Sequence, residues 1–286
     1  MIKYLLGYFG QTLLNVKKIK TIYSKSEFGV YPIILHDIPP SKLNRLICLL
    51  DFLLERYTFI TPNNFVLYLN GDYNLSENQL LLTFDDGFYS NYLIANNVLK
   101  PRNINAIFFI STGFIGLRDN TEIVNYIQKK FYNDQFPSHL NINEMIPMTW
   151  SNILDLVELG HTIGAHTVNH VRLSRVIDSA SLEEEIISSG EHIEDILGLK
   201  VDHFAFPFGD IGSINTKALK VAGEKYKYIY SGIRGCNDSK TNPLALRRES
   251  MNILDEFTYN MFIAGGGLSF YYWKNRQELD KLVANV

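Results

Sequence analysis

The sequence predicts a single barrel-like α/β domain in a chain of 286 residues, on three observations. Seven short apolar runs each end in polar or turn chemistry. Amphipathic helical patterns lie between them. The residues able to do chemistry fall at the ends of the runs, where the βα loops of a barrel hold an active site. Runs that are continuously apolar, rather than strictly alternating, suit parallel strands covered on both faces.

In chain order, Tyr31–Leu35 runs into His36, and Ser41–Tyr57 carries Leu43, Leu46, Ile47, Leu50, Leu53 and Leu54 on one helical stripe. Leu80–Phe84 follows and ends in Asp85-Asp86-Gly87. Ser90–Lys100 reads as a helix stopping before Pro101, since the residue before a proline is pushed away from helical geometry. Ala106–Ile110 runs into Ser111 and Thr112, and Ser151–Leu159 is a helix closing on Gly160. Thr162–Ala165 runs into His166. Ser181 with Glu184 resembles a capping box that opens a helix stopped by Gly198. The last three runs are His203–Phe206 before Pro207-Phe208-Gly209, Tyr228–Tyr230 before Ser231-Gly232, and Ala245–Leu246 before Arg247 and Arg248.

Two strings carry the chemistry: Thr83-Phe84-Asp85-Asp86-Gly87-Phe88 and His166-Thr167-Val168-Asn169-His170. Asp and His are side chains that hold a divalent metal, and a carboxylate beside such a site can take a proton from its water. Each string alone has an ordinary explanation. Asp-Asp-Gly is turn chemistry, and two histidines four apart, which would share one helix face, arise by chance. Their shared position at the ends of buried runs joins them into one constellation. Which Asp would bind metal and which would act as base is not decided by spacing.

With those motifs in place, the chain resembles the polysaccharide deacetylases, the NodB-homology or carbohydrate esterase family 4 enzymes, from about Tyr31 to Met251. Ala106–Gly116, Met148-Thr149-Trp150 and Gly164-Ala165-His166 share the likeness. The resemblance implies a distorted (β/α)7-type barrel and hydrolysis of an N-acetyl group on an amino sugar that is polymeric, lipid-linked or nucleotide-linked. It implies that Asp86, His166 and His170 hold a metal, zinc above cobalt, nickel or manganese, and that Asp85 is the general base. Ile33-Ile34-Leu35-His36 stands where one branch carries its catalytic acid, which points to His36. The third motif reads Phe204-Ala205-Phe206-Pro207-Phe208-Gly209, with phenylalanine where the family often has tyrosine; the backbone N–H of Phe208 keeps the oxyanion role, which needs no phenol. Ala205 stands where other branches place an orienting arginine, so a late arginine is expected to substitute, Arg248 ahead of Arg247.

Composition limits the rest. A net charge of −3 with 46% hydrophobic residues describes a globular domain without the basic excess of a nucleic-acid partner. Cys48 and Cys236 read as free thiols. Residues 1–30 form an N-terminal segment, expected to be helical and packed on the barrel, with peripheral membrane contact through residues 1–20 as the rival reading because aromatics there precede Lys17, Lys18 and Lys20. The segment lacks a convincing signal peptide, which favours the cytoplasm. Residues 31–286 form the catalytic domain, with an insertion at 117–147 that either roofs the site or adds a surface helix. His139 within it reads as a surface residue, and neither His161 nor His192 is given a role. Two rivals to N-deacetylation stand: a deformylase or other amide hydrolase on the same residues, and an inactive carbohydrate-binding member of the fold. The sequence does not give the oligomeric state.

Overall fold

The computed structural model describes residues 28–138 and 140–286; the expectations for residues 1–27 and for His139 lie outside them. Among the described residues eight strands form one sheet, seven of them in the order β7-β6-β5-β4-β3-β1-β8. They are β1 (Val30–Leu35), β3 (Gln79–Phe84), β4 (Ala106–Ile110), β5 (Thr162–Ala165), β6 (His203–Ala205), β7 (Tyr228–Tyr230) and β8 (Glu249–Ser250), with a two-residue β2 (Thr58–Phe59) off the path against β3. Every pairing between them is parallel. The helices are α1 (Leu43–Leu54), α2 (Pro62–Leu69), α3 (Tyr89–Ile94), α4 (Asn120–Tyr126), α5 (Trp150–Glu158), α6 (Ser179–Leu197), α7 (Thr216–Lys225), α8 (Phe257–Ala264) and α9 (Trp273–Val283). The sheet curls into a distorted barrel with helices outside.

Side chains alternate across each strand, and the alternation sorts two cores. Leu80, Leu82 and Phe84 of β3, with Ala106, Phe108 and Ile110 of β4, join the helix-side core. Leu81, Ile107, Phe109, Ala205, Tyr228 and Tyr230 face the interior, where α2 contributes Phe65 and Tyr68. Thr83 and Asp85 share the interior parity of Leu81. Gly164 of β5 admits no side chain: a Cβ there would lie 2.5 Å from the Phe109 ring.

The last expected strand is displaced. Pro243–Ala245 is a 3-10 turn capped by Asn242, whose side chain accepts from the Leu244 N–H, so Ala245–Leu246 is not a strand. Leu246 makes an isolated parallel bridge to Tyr230, and the chain then crosses to β1, pairing Glu249 and Ser250 with Ile33 and Ile34. The segment 246–251 therefore ties β7 to β1 and carries Arg248 across the gap.

Helix boundaries also shift. Asp178, not Ser181, caps α6, accepting from the Ser181 N–H at 2.7 Å; Gly198 ends that helix in left-handed geometry. Thr149 and Asn152 form the capping box of α5. Pro101 does not stop the preceding helix: α3 widens into a π turn at Ala95–Leu99 and then tightens into a 3-10 turn at Lys100–Arg102 that includes the proline. The first helix is shorter than the expected Ser41–Tyr57 span, running over Leu43–Leu54 and so over the apolar stripe alone.

Candidate metal and catalytic site

A cleft of about 460 Å³ opens at the C-terminal ends of the strands, and His36, Asp85, Asp86, His166, His170, Phe208 and Arg248 all line it. That volume suits a single small ligand.

Asp85 and Asp86 leave β3 through a turn the sequence makes sharp. The Asp85 N–H donates to Leu35 O at 2.9 Å, extending the β1 pairing by one residue. Asp86 then takes φ 81° and Gly87 φ 98°; a Cβ on Gly87 would meet Ile115 Cδ1 at 2.5 Å. Aspartate tolerates positive φ better than most residues, and the turn sends the two carboxylates into different surroundings.

Asp85 is locked. Arg248 donates from Nη1 to Oδ1 at 2.7 Å and from Nη2 to Oδ2 at 2.8 Å, a bidentate pair with the arginine 1% exposed. Arg248 also donates to Thr83 Oγ1 and Ser231 O, which leaves its guanidinium no freedom to turn. Burial pushes the Asp85 carboxyl up, but the Arg248 charge, aided by His166, outweighs it and holds the pKa below the usual carboxylate value. Arg247 points away, donating to Asp280 at 2.6 and 2.8 Å.

Asp86 is the opposite case. Its Oδ1 is buried with no hydrogen-bond partner among the described residues, and burial, with Asp85 and Asp37 nearby, drives its pKa well up. His166 Nε2 lies 3.6 Å and His170 Nε2 3.4 Å from that oxygen. His166 Nδ1 is 2.7 Å from Ala205 O and His170 Nδ1 is 3.0 Å from Lys130 O. A carbonyl only accepts, so both Nδ1 atoms carry the proton and both Nε2 lone pairs face Asp86. Burial lowers the pKa of each, His166 to about 4 and His170 well below its ordinary value, so both rings are neutral at neutral pH. One orphan carboxylate oxygen and two bare imidazole nitrogens within 4.8 Å of one another are the donor set a divalent metal takes, with positions left for water and substrate.

The two histidines do not share a helix face, as their spacing would allow. β5 ends at Ala165 and residues 166–170 form a loop with Thr167 at φ 64° and His170 at φ 50°. Glu185 of α6 pins it, accepting from the Asn169 N–H and side-chain amide at 2.8 Å each. Among the described non-glycine residues with positive φ, those other than Asn and Asp are Thr167, His170 and Phe208, all at this site. Strain that other residues avoid is concentrated here.

His36 stands at the end of β1, open to the cleft. Desolvation lowers its pKa, opposed by Asp85 and assisted by Arg248. The Phe208 ring packs on His170 at 4.8 Å and beneath Arg172 at 4.6 Å, and its N–H makes no backbone hydrogen bond among the described residues. Gly209 approaches the backbone of Gly232, where a Cβ would come within 2.4 Å of Gly232 N.

The insertion supplies residues that motif reading missed. α4 and a π turn at Ile127–Phe131 pack Ile123, Ile127 and Met145 against Phe88 and Phe114 in a core of their own. Phe131, Tyr132, Pro137 and Leu140 then line the cleft. In the sequence, Ile123, Tyr126, Ile127 and Phe131 keep helical spacing, which signals the helix but not which side faces the site. Asp37, hydrogen-bonded to Ser90 Oγ at 2.8 Å and pushed up to about 6 by burial, also lines the cleft. His161 is structural, its Nδ1 accepting from the Ala106 N–H at 3.1 Å, and His192 packs edge-on to Trp150. Cys48 and Cys236 are free thiols. No helix among the described residues is long and apolar enough to cross a membrane.

Residues 72–227, more than half of the chain, match the family model described as polysaccharide deacetylase. The chain is 24% identical over 172 residues to the Bacillus subtilis (strain 168) protein called "Putative polysaccharide deacetylase YxkH", a match covering 60% of this chain and 50% of that one, so it spans about half the length of that curated relative. Among solved structures, IcaB from Ammonifex degensii superposes with a TM-score of 0.63 at 20% identity, covering 84% of this chain and 98% of IcaB. The Streptococcus pyogenes deacetylase PplD, solved in complex with acetate, gives 0.63 at 19%, covering 83% and 98%. At such identities the likeness establishes the barrel fold.

Proposed function

Since the chain belongs to the polysaccharide deacetylase family, we propose that it hydrolyses the N-acetyl group of an amino sugar carried on a polysaccharide, lipid or nucleotide, releasing acetate and a free amine. The observation that carries this reading is the contrast between neighbouring carboxylates in one cleft: Asp85 fixed by Arg248 and Asp86 left unpaired beside two bare imidazole nitrogens.

In this reading Asp86, His166 and His170 hold a divalent metal, zinc being our choice for this donor set, with cobalt, nickel and manganese as alternatives. When bound, the metal supplies the positive charge that polarises the acetamide carbonyl and acidifies water in the cleft. Asp85 receives the proton from the attacking water at a carboxylate oxygen; Arg248 keeps it ionised and oriented as a positioning residue. The Phe208 N–H donates to the oxygen of the tetrahedral intermediate. His36 delivers a proton to the amide nitrogen, so that an amine rather than an amide anion leaves. Phe88, Phe131, Phe206 and Phe208 line the cleft with apolar surface, which strengthens each of these electrostatic contacts.

The test is acetate release from a panel of nucleotide-linked, lipid-linked and oligomeric N-acetylamino sugars, using protein stripped of metal and resupplied with zinc, cobalt, nickel or manganese. Metal-dependent acetate from one class is the expected result. Formate from an N-formyl sugar would move the reading to a deformylase, and sugar binding with no released acid would move it to a binding protein.

A further inference from the structure

The two histidines of the Asp86 cluster are supported in different ways. His166 leans on Ala205, a buried residue of β6. His170 leans on the insertion: its Nδ1–H donates to Lys130 O, 40 residues back along the chain. Lys130 belongs to the π turn Ile127–Phe131, in which the Tyr132 N–H reaches back five residues to Ile127 O at 3.2 Å. Carbonyls in the last turn of a helix lack an intrahelical donor and need a partner elsewhere, and here the partner is the imidazole.

Two more contacts descend from the same turn. The Phe131 ring meets His170 edge-on at 4.8 Å, and is itself wedged among Phe88 at 5.3 Å, Phe114 at 5.0 Å and Tyr126 at 5.3 Å. The Tyr126 hydroxyl donates to Val168 O at 3.1 Å, inside the loop that carries both histidines. That loop is irregular, with His170 at φ 50°, and its backbone bonds hold Thr167 and Val168, through Thr112, Gly113 and Glu185, rather than the His170 ring. Without Lys130 O the ring could exchange Nδ1–H for Nε2–H or turn about its bond, and either change would withdraw the lone pair that now faces Asp86. π turns inside helices occur frequently at functional sites.

We propose that the insertion's turn from Tyr126 to Phe131 is a positioning element for His170, and that it sets the divalent-metal affinity of the site by fixing the tautomer and tilt of that one imidazole. The proposal rests on Asp86, His166 and His170 holding a metal; Phe131, which also lines the cleft, and Tyr126 are not among the metal's ligands and act on it through His170. Partners of this kind typically change metal affinity 10- to 100-fold when removed.

The test is competitive titration of zinc and cobalt against a chromophoric chelator, with the visible absorption of the cobalt-loaded protein recorded alongside. Phe131→Ala is expected to weaken zinc roughly 10- to 100-fold and to alter the cobalt spectrum. Phe131→Leu, which refills the wedge, restores most of the affinity. Tyr126→Phe, isosteric and lacking only the hydroxyl, weakens zinc by a smaller factor. Thermal melting of the metal-free proteins separates lost packing from lost positioning, because a purely structural role lowers the melting temperature and leaves the spectrum of the folded fraction unchanged. Wild-type zinc affinity and an unchanged cobalt spectrum in Phe131→Ala would overturn the proposal; should that variant fail to fold, wild-type affinity in both Phe131→Leu and Tyr126→Phe would do so. A wild-type protein that takes up no metal would instead overturn the metal reading beneath it.

Discussion

Arg248 and Glu249 are adjacent, each belongs to a buried ion pair, and the two pairs lie on opposite faces of one stretch of chain. On the inner face Arg248 grips Asp85. On the outer face Glu249, 0% exposed, accepts from Arg234 Nη1 at 2.9 Å and Ser269 Oγ at 3.2 Å. Arg234 Nη2 donates to Ser250 O, and Arg276 donates to Arg234 O. Burial raises the Glu249 carboxyl and Arg234 works against it. Judged by burial and pairing alone, the two clusters are equals. They differ in completeness: the outer cluster closes on itself, whereas the inner one lies beside the Asp86 oxygen, which no described residue satisfies. A buried polar group without a partner is costly, a cost that the proposed metal would relieve.

Substitutions on the two faces are expected to have unequal effects. The largest effect is expected from His166→Ala or Asp86→Asn: loss of bound metal, read by metal analysis, with acetate release down by roughly 10³-fold or more. Full metal occupancy with normal turnover in His166→Ala would remove that residue from the ligand set. Asp85→Asn is expected to cost roughly 10²- to 10⁴-fold in kcat with metal retained, and Arg248→Met to lower kcat while destabilising the fold by about 3–5 kcal/mol in denaturant melts, since it strands a buried carboxylate. Glu249→Gln on the outer face should cost about 1–3 kcal/mol of stability and leave kcat/KM within a few-fold. A kcat loss matching that of Arg248→Met would erase the distinction.

Acid stability gives a further expectation. Burial lowers His161, His166 and His203 to about 4 each. Between that value and the ordinary 6.5 the unfolded chain binds more protons than the folded one, so stability rises with pH across the window and is lost as pH falls through it, by roughly 1.4 kcal/mol per pH unit per histidine. Asp37, raised to about 6, works in the opposite sense between its ordinary value and 6. Metal-free protein melted from pH 7 to pH 4 should lose stability on balance, and His203→Gln should flatten the curve. The smallest effect belongs to Arg247→Gln: its partner Asp280 is half exposed, so the change should cost no more than about 1 kcal/mol and leave turnover unaltered.

What the sequence made legible follows from how locally each feature is determined. The apolar runs and the Asp-Asp-Gly and His-x-x-x-His strings are local, and the barrel and the cluster at its strand ends could be read from them. The choice between Arg247 and Arg248 could not, because it depends on a one-residue parity set by where β8 begins, and the Asn242 turn moved that start beyond Ala245–Leu246. The i, i+4 spacing of His166 and His170 hinted at a helix that the left-handed Thr167 and the Glu185 anchor prevent. The roles of Lys130 and Phe131 were hidden for a different reason: one acts through a carbonyl, which every residue has, and the other through a ring orientation that only packing against Phe88 and Phe114 decides.

The crossing of residues 246–251 from β7 to β1 has a consequence in time. The Asp85–Arg248 pair spans 163 positions, and contacts so distant in sequence demand that the intervening chain first be ordered. During synthesis, a chain that has emerged only through β7 already contains Asp85, Asp86, His166 and His170, yet Asp85, the proposed base, has no Arg248 to hold it ionised and aimed. In the proposed mechanism, competence to cut an amide would therefore arrive only with the final staple of the barrel, and turnover would report that the ring has closed.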